Sequence, residues 1–296
     1  MSILFAFPFY EYLAKELQLT LNFSVGTFAL KRFPNNELRI KLYTEVKSQT
    51  CLVLGSLNPP EINLLVFLFL CHTLKKENAR KIIAIFPYLA YSRQDKKKYH
   101  ESYATALMGK LLMAAGVDKV ITLDIHSRQA KRLYPISLRS LSPAAIFFEA
   151  IKKLTLDDIS IVAPDEGAIT RCRVIAKKMK IYDIAYMIKE RTEQGITHNK
   201  LVGAISKQAI IIDDILDTGK TLVSCCEKLC ESGVKEIYIF VTHGLFTGNE
   251  WGKLWQLRVK HIYCTNTLPL PIHISNQNIT VLSINSLLAD ALIKYL

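Results

Sequence analysis

Short apolar runs alternate with amphipathic segments along almost the whole chain. The apolar runs predict β-strands at residues 3–7, 51–55, 81–87, 119–124, 159–164, 209–213, 236–241 and 279–284. The amphipathic segments have apolar positions at helical spacing and predict helices between most of these strands, such as residues 102–115, 167–179 and 218–232. Strands that alternate with helices form mainly parallel sheets covered on both faces, so the pattern predicts an α/β fold.

The predicted strands are too many for one open sheet of comfortable size. A break near residues 138–143, "LRSLSP", divides the chain almost in half, and no low-complexity linker separates the halves. We therefore expect two tandem, doubly wound domains with mainly parallel sheets. A closed barrel is the alternative, and it ranks second because the turn residues do not repeat evenly.

Composition limits the class of protein. The most apolar run, residues 62–70, is much shorter than the roughly 20 residues that cross a bilayer, so we expect a buried helix there and no membrane partner. The N-terminus lacks the basic start of a secretory signal, and the seven cysteines show no metal-ligand spacing. These features predict a cytoplasmic protein with reduced thiols.

The formal net charge of +12 raises the possibility of a nucleic-acid partner. However, the lysines are spread over many predicted helices, and basic residues do not alternate with aromatic ones. A polyphosphate ligand explains part of the charge equally well, so nucleic acid is kept as the weaker alternative.

The stretch "IIIDDILDTGKTL", residues 210–222, combines a buried strand with acids and small residues. Its Gly-Lys-Thr tripeptide ends the nucleoside-triphosphate loop motif, but that motif needs glycine where Asp214 stands, so the match fails. What remains is a strand, a tight turn at Gly219 and a helix. Backbone amides at the start of this helix suit a phosphate group, together with the side chains of Thr218, Lys220 and Thr221.

Three carboxylates lie beside this phosphate loop, those of Asp213, Asp214 and Asp217. Carboxylates repel phosphate but accept hydrogen bonds from hydroxyl groups and attract cations. A ligand with a phosphate at one end and vicinal hydroxyls at the other fits every group, and ribose 5-phosphate has that shape. The alternative is a charged strand end with Asp217 as the helix N-cap.

Other strand ends also carry polar residues, which predicts a site between the two halves. "YLAYSRQDKKK" contains Arg93, whose guanidinium suits phosphate oxygens, although a solvated basic loop is the alternative. "DIHS" places Asp124 and His126 where both can approach one cation, although a single histidine is more often structural. "KERTEQG" predicts a cationic loop that closes over developing charge, or else a surface hairpin.

In this order, these stretches resemble the ribose-phosphate pyrophosphokinase family. The resemblance covers nearly the whole chain, through "KRFPNNELRIKL", "FPYLAYSRQDKKK", "GVDKVITLDIHS", "IVAPDEGA", "IKER", "IIIDDILDTGKTL" and "VTHGLFTG". "RFPNNE", "PYLAYSRQDKK" and "APDEGA" look closer to the archaeal-type branch. The resemblance implies two phosphoribosyltransferase-like domains, residues 1–142 and 143–285. It also implies that the last helix, 286–296 with Ser286 as its N-cap, packs back on the first domain.

The same resemblance implies Mg²⁺-dependent transfer of the terminal diphosphoryl group of ATP to the anomeric hydroxyl of ribose 5-phosphate, in a homo-oligomer. The implied catalytic residues are Lys189 and Arg191, and the metal residues are His126 and Asp165, with Asp124 as a further candidate. The implied ATP contacts are Arg93, Gln94 and Asp95, with Asn35, Asn36 and Glu37 from a neighbouring subunit. The implied ribose 5-phosphate contacts are Asp213, Asp214, Asp217, Thr218, Gly219, Lys220 and Thr221.

Three residues depart from the family pattern. Asn35 stands where aspartate is common, Lys220 replaces a glycine, and Glu190 lies between the two catalytic cations. Two rival functions remain: a phosphoribosyltransferase, which has no need of two tandem domains, and a non-catalytic regulatory subunit of the same fold.

Overall fold

The computed structural model describes residues 2–191, 197–271, 274 and 278–296, with the backbone alone at 189–191 and 197–199. Within it the chain forms two compact units, Met1–Leu141 with Asn285–Leu296, and Ser142–Ile284. The unit boundaries lie one residue from those that the sequence predicts. Among the described residues, no helix has both the length and the apolar character that crossing a bilayer requires.

The first unit is built on a parallel sheet. Its strands lie in the order β2 (Ser24–Val25), β1 (Ser2–Ala6), β5 (Thr50–Leu54), β6 (Lys81–Phe86), β7 (Lys119–Leu123) and β8 (Ser137–Leu141). Its helices are α1 (Glu11–Thr20), α2 (Ile62–Lys76), α3 (Ala104–Ala114), α4 (Arg128–Arg132) and α8 (Asn285–Leu292). A separate antiparallel hairpin consists of β3 (Phe28–Arg32) and β4 (Leu38–Leu42).

The second unit is built on a sheet that is parallel except at one edge. Its strands lie in the order β11 (Thr197–Val202), β10 (Ala185–Arg191), β9 (Ile159–Ala163), β12 (Gln208–Leu216), β13 (Glu236–Gly244), β14 (Val259–Thr265) and β15 (Ile279–Leu282). Its helices are α5 (Ala144–Lys152), α6 (Ile169–Lys178) and α7 (Lys220–Glu231). Only β11 runs antiparallel, and it pairs with β10.

Burial explains why the apolar runs were easy to recognise as strands. In β12, Ala209 and Ile211 pack in one core cluster and Ile210 and Ile212 in another, so alternate side chains fill both faces of the sheet. The predicted α/β class with two mainly parallel sheets is confirmed. The barrel alternative is wrong, because the strands form two open sheets.

The units divide between Leu141 and Ser142, within the break that the sequence predicts at residues 138–143, and this stretch also contains the end of strand β8. One local prediction is wrong. Ser286 is not the N-cap of the last helix, since α8 begins one residue earlier, at Asn285. The side-chain amide of Asn285 instead donates to the Glu16 carbonyl oxygen at 3.4 Å and to Thr20 Oγ1 at 3.2 Å, which ties α8 to α1.

All seven cysteines are free thiols, and all except Cys230 are buried. Burial raises the pKa of Cys51 and Cys264 to about 12, so both stay protonated at neutral pH. They serve as small apolar core residues.

The return of α8 to the first unit predicts a measurable contribution to stability. Leu288 is fully buried, whereas Ile293, just beyond the helix, is 62% exposed. Leu288→Ala should lower the free energy of unfolding by roughly 2–5 kcal/mol, because it removes buried methyl groups and leaves a cavity. Ile293→Ala is the matched control and should change it by less than about 0.5 kcal/mol in urea titrations. Equal effects of the two substitutions would contradict the docking of α8.

Candidate active site

The phosphate-loop stretch folds at the carboxyl end of β12. The strand continues to Leu216, three residues beyond the predicted end, so Asp213 and Asp214 lie within it. Gly219 then adopts φ +87°, and α7 begins at Lys220. Asp217 is not the N-cap residue of the helix as the alternative requires, because Gly219 occupies that position and has no side chain to cap α7. The first-turn amides of this twelve-residue helix suit an anion.

The loop at residues 245–247 supports this turn through backbone hydrogen bonds. The amides of Leu245 and Phe246 donate to the Leu216 carbonyl oxygen at 2.8 and 3.0 Å, and the Thr247 amide donates to the Asp217 carbonyl oxygen at 3.1 Å. A Cβ at Gly219 would lie 2.7 Å from the Cα of Trp251. Glycine is required at this position because of both the left-handed backbone and the close approach of Trp251.

Asp213 and Asp214 form a buried acid pair beside the loop, with side chains 9% and 7% exposed. One nitrogen of Arg171, Nη1, lies 3.3 Å from Oδ1 of each carboxylate. Asp213 Oδ1 also accepts a hydrogen bond from the Asp214 amide at 2.9 Å. Burial raises the pKa of Asp213 well above its usual value, the neighbouring charge of Asp214 adds to this rise, and Arg171 opposes it.

Asp165 belongs to the same sheet edge, since it follows β9. Its Oδ1 accepts a hydrogen bond from the Ala168 amide at 3.0 Å, so this carboxylate caps the short helical turn at Glu166–Ala168. Asp165 also contributes to the raised pKa of Asp213. Three predicted carboxylates, those of Asp165, Asp213 and Asp214, thus lie at the carboxyl ends of adjacent parallel strands.

Lys189 and Arg191 lie on the last residues of β10, not in a loop as predicted. Their backbones pair with Asn199 and Thr197 of β11. Their backbones thus form the hairpin that the sequence analysis gave as the alternative to a loop. Residues 192–196 and the side chains of Lys189 and Arg191 lie outside the described part of the chain. Because β10 runs parallel to β9, both residues reach the sheet edge where Asp165 lies.

In the first unit, Arg93, Gln94 and Asp95 of the predicted ATP residues line a cavity of about 380 Å³. The lining is polar, carries charges of both signs and comprises Arg93, Gln94, Asp95, Lys96, Lys98, Glu101, Ser102 and His126. Gln94 accepts a hydrogen bond from the Ser102 hydroxyl at 2.5 Å, which fixes one wall. His126 and Arg93 are exposed.

Asp95 has a different environment from its neighbours. It is 4% exposed, its carboxylate accepts a hydrogen bond from the Ser127 hydroxyl, and its carbonyl oxygen accepts one from Gln129 at 2.8 Å. Ser127 in turn caps α4 by accepting from the Ala130 amide at 2.9 Å. These bonds connect the loop that carries Arg93 to the segment that carries His126. Asp95, which is predicted to contact ATP, therefore has a structural role as well.

Asp124 follows β7 with a left-handed backbone, φ +36°. Its amide donates to the Leu141 carbonyl oxygen at 2.8 Å, and the next amide, that of Ile125, donates to Ser140 Oγ at 3.0 Å. These bonds turn the chain sharply after β7 and direct it towards His126. The strand ends at Leu123, one residue before its predicted end.

Asn35, Asn36 and Glu37 form the exposed tip of the β3–β4 hairpin. Asn36 adopts φ +68°, and its amide donates to the Phe33 carbonyl oxygen at 2.8 Å, which closes the turn. Phe33 is 45% exposed at the same tip, with the Arg39 guanidinium 5.6 Å from its ring centre. The tip presents an aromatic ring and cations to solvent, although sequence patterns did not single out Phe33.

The described residues contain no group of three or more His, Cys, Asp or Glu side chains arranged to hold a metal ion. Mg²⁺ differs from metals held in protein cages, because it commonly keeps water ligands and uses one or two protein carboxylates together with substrate phosphates. Within each unit, the few described donors at the sheet edge fit that mode of binding and do not fit a permanent structural site.

Comparisons with known proteins agree with the geometry of both units. Residues 2–116 match the model of the N-terminal domain of ribose phosphate pyrophosphokinase, and residues 188–295 match that of the phosphoribosyl synthetase-associated domain. The ribose-phosphate pyrophosphokinases of Bacillus caldolyticus and Bacillus subtilis (strain 168) are each 32% identical over 286 residues, which cover 95% of this chain and 90% of theirs. The chain belongs to the ribose-phosphate pyrophosphokinase family.

A solved structure supports this assignment. Phosphoribosylpyrophosphate synthetase from Mycobacterium smegmatis superimposes with a TM-score of 0.89 at 28% identity, and the match covers 98% of this chain and 97% of that one. The predicted family is confirmed. The three relatives named here are bacterial, so the likeness to the archaeal-type branch stays a prediction.

Arg171 is the main site residue that the sequence analysis missed. It is the third residue of α6, and a cation in the first turn of a helix is disfavoured by the helix dipole. That placement signals a specific anionic partner nearby. The arginine near the start of the predicted helix is visible in "DEGAITR". Its acidic partners could not be identified from the sequence, because they depend on the packing of α6 against β12.

The packing at Gly219 predicts that alanine destabilises the chain more at this position than at Gly248. Gly219 and Gly248 both have left-handed backbones, φ +87° and +67°, but a Cβ at Gly248 would have no neighbour within 4 Å. Gly248→Ala should lower the free energy of unfolding by about 1–2 kcal/mol, through backbone strain alone. Gly219→Ala should cost more, since Trp251 must also move. Equal losses in urea titrations would contradict the packing of Trp251 on the loop.

Proposed function

We propose that this chain transfers the terminal diphosphoryl group of ATP to the anomeric hydroxyl of ribose 5-phosphate, giving AMP and phosphoribosyl pyrophosphate. Members of its family make this product from these substrates. The observation that carries the proposal is the β12–α7 corner, where a helix begins after a left-handed glycine close to the buried carboxylates of Asp213 and Asp214. One end of that corner suits a phosphate and the other suits hydroxyl groups.

In this proposal the second unit holds the sugar phosphate. The amides and hydroxyls of Thr218 and Thr221, the amide of Gly219 and the ammonium group of Lys220 bind the phosphate. Asp213 and Asp214 accept hydrogen bonds from the sugar hydroxyls, and Asp217 supports the turn between them. The left-handed turn at Gly219 supports this arrangement because it directs the helix amides to one point.

The first unit holds ATP. Arg93 and Gln94 bind the nucleotide from the polar cavity, which Lys96 and Lys98 also line. Asp95 contributes by fixing the loop, in view of its bonds to Ser127 and Gln129. The exposed hairpin tip with Asn35, Asn36 and Glu37 contacts the adenosine end of ATP in a neighbouring subunit.

The reaction forms a bond between the anomeric oxygen and the β-phosphorus of ATP. It breaks the bond from that phosphorus to the oxygen it shares with the α-phosphate, and the anomeric hydroxyl loses its proton. Positioning and charge stabilisation carry most of the catalysis in such transfers. Lys189 and Arg191 neutralise the transferring group, and the strand β10 brings their backbones to the same sheet edge as Asp165.

Magnesium is the cofactor of the proposed reaction. In the first unit His126 and Asp124 would bind it, and in the second unit Asp165 would, in each case together with water and the phosphates of the substrate. When bound, the ion supplies positive charge to the phosphate oxygens.

Homo-oligomer formation is part of the proposal. The first unit exposes large apolar side chains, Phe9, Leu30, Leu65 and Phe69, each at 42–47%. Phe9 and Leu30 also line an apolar cavity of about 500 Å³. Exposed apolar surface of this kind is typical of protein interfaces. A cytoplasmic location and the absence of nucleic-acid and membrane partners stay predictions from the sequence.

The nucleotide product tests the proposed function. Purified protein with ATP, magnesium and ribose 5-phosphate should form AMP and phosphoribosyl pyrophosphate in equal amounts. Chromatography of the nucleotides measures the AMP. Formation of ADP would indicate transfer of a single phosphoryl group and would contradict the proposal. Consumption of phosphoribosyl pyrophosphate with a free base would favour a phosphoribosyltransferase, and complete inactivity would favour a regulatory subunit.

Lys189 should act on the transferring group more than on substrate binding. Lys189→Ala should lower kcat by about a hundredfold or more, the scale observed when one well-placed charge donor is removed. The KM values should change little, because other residues bind both substrates. Lys207→Ala is the control, since Lys207 is exposed at the opposite end of β12. Near-normal turnover of the Lys189 variant in steady-state kinetics would exclude this role.

A further inference from the structure

Arg171 is a cation held against the buried acid pair. Its side chain is 15% exposed and bridges Asp213 and Asp214 through Nη1, at 3.3 Å from each Oδ1. The side chains of both acids are more than nine-tenths buried. Two carboxylates this deeply buried are costly, and the charge of Arg171 offsets part of that cost.

The position of Arg171 in its helix is unfavourable without these acids. It lies in the first turn of α6, where the helix dipole repels a cation. The next residue, Cys172, is fully buried, and its thiol donates to the carbonyl oxygens of Val162 and Ile212 at 3.6 and 3.5 Å. These contacts hold the start of α6 against the ends of β9 and β12. The Arg171 side chain is thereby held against the acids by a rigid part of the core.

Arg171 approaches both acids through one oxygen of each carboxylate. Its Nη1 contacts Oδ1 of both, and the Asp214 amide also donates to Oδ1 of Asp213. Such contacts restrict the rotation of a carboxylate group about its own axis. Arg171 thereby helps to set the orientation of both carboxylates.

We propose that Arg171 is a positioning residue that orients Asp213 and Asp214 to accept hydrogen bonds from the vicinal hydroxyls of ribose 5-phosphate. The inference rests on the proposed function, which places the sugar at this corner. Arg171 also reduces the repulsion between the acid pair and the phosphate group bound at the start of α7. It touches no substrate atom in this role and acts only through the two acids.

The test measures selectivity for one hydroxyl group by isothermal titration with two probes, ribose 5-phosphate and 2-deoxyribose 5-phosphate. The wild-type chain should bind ribose 5-phosphate more tightly. Arg171→Met should lower the ratio of the two affinities by about tenfold, the scale of one hydrogen bond to a charged group. A purely structural loss would weaken both probes equally and leave the ratio unchanged.

Two further variants make the test decisive. Arg173→Met removes an exposed arginine from the same helix and should leave the ratio unchanged. Arg171→Lys keeps the charge on a shorter side chain, and its ratio should lie between the wild-type and Met values, at least threefold below wild type. If Arg171→Met does not fold, the Lys variant decides: a wild-type ratio in Arg171→Lys would overturn the assignment.

The outcome can be separated from that of the proposed function. Binding of the two probes requires neither ATP nor turnover, whereas the proposed reaction is tested by AMP formation in the wild-type chain. A chain that forms AMP but shows the same ratio in wild type and Arg171→Met would contradict the role of Arg171 alone. A chain that selects ribose 5-phosphate through Arg171 but forms no AMP would contradict the reaction alone.

Discussion

Two adjacent carboxylates, Asp213 and Asp214, are buried inside a strand, and much of the second unit is arranged around this constraint. Burial of charge is expensive, and an isolated pair would destabilise β12. The first turn of α6 therefore supplies Arg171, although its helix dipole disfavours a cation there. Stability alone would be served as well by apolar residues in these positions. In the proposed function, these acids are retained because they bind the hydroxyl groups of the sugar.

The parallel sheets explain why distant stretches of sequence act together. In the second unit, β9, β10 and β12 end at one edge, which collects Asp165, Lys189, Arg191 and the acid pair. In the first unit, the segments after β6 and β7 bring Arg93, Gln94 and His126 around one cavity. Each unit thus has acidic and basic residues at the carboxyl ends of its strands, where doubly wound folds typically bind ligands.

Much of the fold could be predicted because buried parallel strands are continuous apolar runs. All eight predicted strands exist, and the predicted turn at Gly219 has the left-handed backbone that glycine permits. Strands with exposed positions escaped detection. The β3–β4 hairpin is half-exposed or exposed along its length, and β8 has polar positions at Ser137, Arg139 and Ser140. Their sequences lack the continuous apolar run on which the predictions relied.

The site was predictable in its residue types and less so in its contacts. A motif can indicate that Asp213 and Gly219 lie beside a ligand, because the strand and turn are local features. It cannot show that the Asp95 carboxylate accepts a hydrogen bond from Ser127, thirty-two positions away. Nor can it show that Arg171 bridges two acids forty-two or more positions away. Such long-range pairs depend on how helices pack on the sheet. They decide which charged residues are available to a substrate.

The most direct measurement is a crystal structure of the chain with ribose 5-phosphate bound. The account predicts phosphate oxygens within hydrogen-bond distance of the amides of residues 218–221, and the 2- and 3-hydroxyls of the sugar on Asp213 and Asp214. Arg171 should keep its contacts with both acids. A sugar phosphate bound with its phosphate away from the start of α7, or with its hydroxyls away from the acid pair, would contradict the account.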